Sequence, residues 1–314
     1  MRILFKNISV YNINKMQDIY DQVRKNRPNI SDTSVRFYVS TIANLYKQMR
    51  NKLTVDDDIH TFFCNNPNEV IDFLKDKTPS RRKTVMASLV VFCDNEDAKK
   101  KYREVMMKDD KTSKMIADRQ EATPKQKENW ISQDELHSIY KKLEKDARPF
   151  LNSKDPITQK QFQHLQNYII ISLYTLIAPR RLLDYTEMKI RNFNRETDNY
   201  FDKNKFVFNI YKSAKTFGTQ EYALPTKLSN IIKKWSKINS SDFLLTDTNG
   251  NKMVVSQLHQ RLNKILGRQA SVNILRHSYL TDKYKDVPAL TEMKDTANNM
   301  AHGLETALQY VKKK

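Results

Sequence analysis

Glycine is nearly missing from this chain, with four in 314 residues. That excludes the Gly-rich phosphate loops GxxxxGK[ST] and GxGxxG, in which the backbone itself must approach a phosphate. It also favours helices over a turn-rich all-β fold. Cysteine occurs only twice, at Cys64 and Cys93. The two sit far apart with no CxxC or histidine spacing around them, which argues against a disulfide scaffold and against a zinc site, and suits a reducing compartment. No run approaches the roughly 18 to 20 consecutive apolar residues that a membrane span needs. The short apolar start, Ile3-Leu4-Phe5, is too brief for a signal-peptide core. No Asp/Glu cluster has metal-binding spacing. The expectation is a soluble, intracellular protein with no membrane partner and no cofactor.

What is abundant is positive charge. Lysine and arginine number 55 against 36 acidic residues, a formal net charge of +19. Such an excess repels itself in the folded state, so it points to a polyanionic partner. Each phosphate neutralised on duplex DNA releases counterions, with a salt slope of about −0.9 per contact. A Lys-, Asn- and Ile-rich proteome of AT-rich origin would give the same imbalance. That composition also suits a viral or mobile-element source.

A length of 314 residues fits about two domains. From Thr33 to Met49 the apolar residues Tyr38, Ile42, Leu45, Tyr46 and Met49 recur at steps of three and four, the stripe of one helix face. Further helices are expected around Glu69–Lys75, from Thr78-Pro79 past Leu89, and over Asp97–Met107. Thr78-Pro79 is a capping residue followed by proline at the first helical position. Residues 1–117 thus read as a helical, basic domain. Residues 118–129 (DRQEATPKQKEN) are polar and contain Pro124, which reads as a linker. Ser132 with Glu135 forms a capping box flanked by Ile131 and Leu136 as a hydrophobic staple. A long helix should cover Gln161–Ala178. Then the period becomes two: Phe206, Phe208 and Ile210 alternate, and Glu221–Leu224 is extended, with Lys212–Thr219 between them, a β-hairpin signal. Helices return through Tyr310. The expected fold is mainly α with a small antiparallel β-sheet, and residues 130–314 form an α+β domain.

Within that second domain an ordered set stands out: Arg181, Lys215, Arg276, His302 and Tyr310. Cleaving a DNA phosphodiester without a metal needs a nucleophile in line with the leaving oxygen, fixed cations on the non-bridging oxygens and a proton donor. Arginine suits the cation role because its planar fork binds phosphate oxygens bidentately and keeps its charge. A tyrosine can store the bond energy as a phosphodiester link to the protein. Taken singly, each has a plainer reading. An Arg or Lys in so basic a chain is usually a solvated surface residue, His302 a surface histidine, and Tyr310 an anchor on an amphipathic helix.

Four segments in this order resemble the tyrosine recombinase (integrase) family. Ala178-Pro-Arg-Arg-Leu-Leu-Asp-Tyr-Thr-Glu-Met188 is similar to the end of the family's first long catalytic helix. There an arginine is followed by an acid at +3 and an apolar residue at +7; Asp184 and Met188 meet those offsets from Arg181 rather than Arg180. Tyr211–Pro225 (YKSAKTFGTQEYALP) resembles the hairpin that carries the general-acid lysine, here Lys215 rather than Lys212. Asn273-Ile-Leu-Arg-His-Ser-Tyr-Leu-Thr281 resembles the HxLRHxxxT box and supplies Arg276, with His277 read as packing rather than chemistry. Met300–Tyr310 (MAHGLETALQY) resembles LGHxxxxTxxxY and brings His302 and Tyr310.

The resemblance covers roughly residues 130–314, and the N-terminal helices are similar to the family's core-binding domain in type only. It implies a metal-independent site-specific recombinase that grips double-stranded DNA as a homo-oligomer, a tetramer, and cuts through a 3′-phosphotyrosyl intermediate. Alternatives with the same constellation are a type IB topoisomerase-like enzyme, and a DNA-binding protein of the same fold with weakened catalysis. Two departures bear on activity. Asn273 stands where the family has the HxLR histidine, and His302 precedes Tyr310 by eight residues where many members have nine. Only Val311–Lys314 follow the tyrosine, where many members carry a further helix.

Overall fold

In the computed structural model the chain forms two compact units, Met1–Glu121 together with Pro288–Lys314, and Ala122–Val287. The structure describes residues 10–50, 58–153, 155–301 and 303–311, with the side chains of 10–15 and 50 excepted. The described chain is mainly helical with one four-stranded sheet.

Among the described residues the first unit's secondary structure is helical. It comprises α1 (Val10–Asn26), α2 (Asp32–Arg50), α3 (Ile59–Asn65), α4 (Pro67–Phe73), α5 (Pro79–Phe92) and α6 (Glu96–Asp118). The apolar stripe expected over 33–49 is the inner face of α2, with Ile42, Leu45, Tyr46 and Met49 buried and Tyr38 packed at the margin. Truncating one such residue to alanine costs about 2–5 kcal/mol, because transfer free energy and a cavity term add. The Thr78 hydroxyl caps α5 by accepting the Arg81 N–H at 3.3 Å. Helix α6 runs eleven residues beyond the expected Met107, because its buried Tyr102 and Asp109 both find partners. The Tyr102 hydroxyl donates to the Phe63 carbonyl at 2.7 Å, and Asp109 accepts from Arg82. The last helices of the chain, named below as α15 and α16, belong to this unit. There the Leu290 N–H donates to Gln120 Oε1 at 2.8 Å, and Lys294 pairs with Asp118 at 2.6 Å.

The second unit begins in the polar segment read as a linker, which holds a one-turn helix, α7 (Pro124–Glu128), closed by a Thr123/Gln126 capping box. Next come α8 (Gln133–Leu151) and α9 (Gln159–Thr175). Ser132 caps α8 as expected, accepting the Glu135 N–H at 3.1 Å. Glu135 does not reciprocate; its carboxylate pairs with Arg268 instead, since a guanidinium outcompetes a backbone N–H for a carboxylate. Ile131 and Leu136, the staple, are fully buried.

After the short α10 (Leu182–Thr186) come β1 (Met188–Lys189), β2 (Asn199–Asp202) and β3 (Lys205–Phe208). They are followed by α11 (Ala214–Phe217), β4 (Gln220–Ala223), α12 (Thr226–Ile238), α13 (Val255–Leu266) and α14 (Val272–Lys283). The chain closes with α15 (Leu290–Asn299) and α16 (Leu304–Tyr310). The sheet order is β1-β2-β3-β4. Strands β2, β3 and β4 are antiparallel, with Phe208 opposite Gln220, which is the expected hairpin. The sheet as a whole is mixed rather than antiparallel, because β1 adds to β2 in parallel. Two residues give β1 no alternating pattern to read. Ile210 lies outside β3. The core of this unit packs α8, α9, α12 and α13 around Trp235, whose indole N–H reaches the Leu244 carbonyl at 2.8 Å. Among the described residues no helix is long and apolar enough to cross a membrane.

Candidate functional site

Arg180 and Arg181 are adjacent in sequence and differ in use. Arg180 Nε donates to Asp184 Oδ2 at 2.8 Å, and its Nη1 donates to Gln220 Oε1 at 3.1 Å. Its guanidinium lies 3.8 Å from the Phe208 ring centre and 5.4 Å from that of Tyr211. These contacts tie the start of α10 to the hairpin. Arg181 is the N-cap of α10, in extended backbone, and its side chain caps nothing. It makes no hydrogen bond or salt bridge to another described side chain.

Asp184 organises the electrostatics. It is 2% exposed, and burial pushes its carboxyl above the usual carboxylate range, against the pull of Arg180, Arg181 and Arg276. Three guanidinium groups therefore act on one buried carboxylate. Only Arg180 bonds it, and Asp184 Oδ1 has no hydrogen-bond partner among the described residues. The surplus is a concentrated positive potential, which oxyanions seek. Arg276 enters from α14, half-buried on a helix anchored by Ile274, Leu275 and Ser278; the Ser278 hydroxyl accepts from Gln133 at 2.8 Å. Asn273, one turn earlier on α14, is exposed, as is His277.

Lys215 rides on α11 in the loop between β3 and β4, exposed to solvent. The loop is closed at its base: Thr219 Oγ1 donates to Asn209 Oδ1 at 2.7 Å, and the Tyr211 hydroxyl donates to the Gly218 carbonyl at 2.6 Å. Gly218 ends α11 at φ 64°, ψ −159°, a region open essentially to glycine alone. Sequence reasoning missed the residue that sets this loop against α10. Asn199 is fully buried at the start of β2. Its Oδ1 accepts the N–H groups of Asn209 and Ile210 at 2.8 and 2.7 Å, while Nδ2 donates to the carbonyls of Ile210 and Asp184 at 2.8 and 3.2 Å. One amide thus satisfies four backbone groups at the two places that carry Lys215 and Arg181. No sequence signal marks it, since an asparagine beside turn residues reads as part of a turn.

Arg181, Lys215, Asn273 and Arg276 all belong to the second unit, and the charges of Arg181 and Arg276 both act on Asp184. Tyr310 belongs to the first unit, as the last residue of α16, with its side chain exposed. His302 lies outside the described residues. Just before it, Ala301 takes a left-handed φ of 56°, a conformation that costs a residue with a Cβ on the order of 1 kcal/mol. Comparison with known protein families, with curated proteins and with solved structures finds no match.

Proposed function

We propose that this chain is a site-specific DNA recombinase of the tyrosine recombinase kind, which cuts and rejoins strands of duplex DNA with no cofactor. The observation that carries the reading is the guanidinium surplus around Asp184, on which the charges of Arg181 and Arg276 act while Arg180 bonds it and packs on the hairpin. A phosphodiester carries one negative charge and two non-bridging oxygens, which two forked cations can hold. The net charge of +19 supplies the longer-range attraction to a polyanion.

In this mechanism Arg181 and Arg276 hold the scissile phosphate, with His302 donating a hydrogen bond to it. The Tyr310 hydroxyl oxygen bonds to phosphorus as the bond to the 5′-oxygen breaks, leaving a 3′-phosphotyrosyl link. Lys215 gives a proton to the departing 5′-oxygen. Asn273 cannot accept the tyrosine proton, which passes to water, and its amide is left to donate to the phosphate. Attack by the 5′-hydroxyl of a partner strand on the phosphotyrosine reverses these steps and frees the tyrosine, within a homo-oligomer on the DNA.

Trapping on a nicked suicide substrate tests this reading. The wild type is expected to form a covalent adduct, and Tyr310→Phe to form none while binding the same DNA. Adducts that survive Tyr310→Phe would overturn the assignment. Asn273 favours a second reading, a DNA-binding protein of this design with weakened catalysis. Site-specific binding with no adduct from the wild type selects it, and relaxation of supercoils without site preference selects a type IB topoisomerase-like enzyme.

A further inference from the structure

The first unit brings together three metal-ligating side chains that the sequence holds apart. His60 and Cys64 lie four residues apart on one face of α3, with Cys64 buried. Asp94 follows the end of α5. His60 Nε2 lies 3.6 Å from the Cys64 sulfur and 3.2 Å from Asp94 Oδ1, and all three donor atoms fall within 4.8 Å of one another. A tetrahedral zinc ion sits about 2.3 Å from sulfur and about 2.0 Å from nitrogen or oxygen, which spaces its donors by roughly 3.3 to 3.6 Å. The two separations from the imidazole match two sides of that triangle, and the sulfur and carboxylate lie within 4.8 Å of each other. One imidazole nitrogen carries at most one hydrogen and cannot satisfy a sulfur and a carboxylate equally. A cation between them satisfies three lone pairs at once.

We infer that His60, Cys64 and Asp94 form a binding site for a zinc-class divalent cation. The Asp94 carboxylate is half-exposed, so this side of the cluster is open to solvent.

The surroundings hold these donors in place. Asp58 caps α3, accepting the His60 N–H at 2.9 Å, and the imidazole meets the Phe92 ring edge-on at 5.3 Å between centres. Asn26 Nδ2 donates to the carbonyls of Val91, Phe92 and Cys93, which fixes the end of α5 just ahead of Asp94. Cys93, the C-cap of α5, is also buried. Cys93 is not a member of the converging set. Binding would staple α3 to the end of α5, independently of the recombinase reading.

The test titrates the reduced, metal-free full chain with Co²⁺. One equivalent is expected to give the visible bands of a tetrahedral cobalt site and a single-thiolate charge-transfer band, both erased by Zn²⁺. Cys64→Ser should lose the charge-transfer band while Cys93→Ser keeps it. Asp94→Asn, at an exposed position where folding is not at stake, should weaken binding by about tenfold or more. Absence of tetrahedral bands from the wild type would overturn the site, as would an Asp94→Asn titration identical to the wild type. A charge-transfer band of two-thiolate intensity would overturn the donor set.

Discussion

Among the described residues each unit contains one deeply buried aspartate facing an arginine, Asp109 and Asp184, and the two pairs are built for different ends. In the first unit Asp109 is saturated. Arg82 Nε donates to Oδ2 at 2.9 Å and Nη2 to Oδ1 at 2.5 Å, while Nη1 donates to the carbonyls of Lys75 and Lys77. One cation meets one anion, every polar atom of the fork is used, and nothing is left to attract a ligand. In the second unit Asp184 receives a single bond from Arg180, keeps Oδ1 unpartnered among the described residues, and stands in the field of Arg181 and Arg276 as well. The first pair is a clasp between α5 and α6; the second is a foundation for uncommitted positive charge. A buried Arg–Asp pair therefore says little about function until its charges and lone pairs have been tallied.

Substitutions at the two pairs sharpen this contrast. Arg82→Ala strands Asp109 as an uncompensated buried charge and is expected to cost about 3–5 kcal/mol in denaturant unfolding. A loss under about 1 kcal/mol would show that the clasp is dispensable. Arg180→Ala also removes a buried partner, but Arg181 and Arg276 continue to stabilise the Asp184 charge. The expected loss is smaller, about 1–3 kcal/mol, by the same measurement. Equal losses at the two sites would break the comparison.

The smallest effect is a pH dependence of opposite sign within one unit. Burial raises the folded-state pKa of Asp184 above the usual 3.8. The folded chain then binds this proton more readily than the unfolded chain, so the ionised Asp184 costs stability that returns as pH falls toward 3.8. Asp198 is the reverse case: its hydrogen bond from Lys189 lowers its carboxyl below 3.8, so its stabilisation is present above 3.8 and fades as the solution is acidified through that range. In urea unfolding followed from about pH 6 downward, the wild type should gain on Asp184→Asn and lose ground to Asp198→Asn. Parallel curves for the two variants would contradict the assignment of Asp184 as a burdened charge.

Much of the fold could be read ahead because local signals were strong. The α2 stripe, the Thr78-Pro79 start of α5, the Ser132 cap and the β3–β4 pairing all rest on periodicity or capping chemistry within a few residues. What escaped depends on contacts between distant segments. The length of α6 was hidden because Asp109 looks like a helix-surface acid until Arg82, packed from α5, is seen to bury it. The choice of Arg181 over Arg180 came from offsets to Asp184 and Met188, whereas the structure separates them by use: Arg180 is held by Phe208 and Gln220, both on the hairpin. Asn199 was invisible because its four partners belong to α10 and the Lys215 loop. The expected lack of histidine spacing around the cysteines does not hold: His60 and Cys64 are one helical turn apart on α3. The packing of α3 against the end of α5, with Phe92 on His60, brings Asp94 to them.

The most direct measurement of the guanidinium surplus as a phosphate site is single-turnover adduct formation on a nicked DNA substrate by Arg181→Ala. Arg181 bonds no other described side chain, so the variant should fold like the wild type. Its adduct rate should fall by about 10²–10³-fold, the usual effect of removing one fixed donor from a developing phosphate or oxyanion charge. DNA affinity should change little, since one contact among many carries that term. Wild-type adduct rates from Arg181→Ala would contradict the assignment of this arginine, and of the charge gathered at Asp184, to the scissile phosphate.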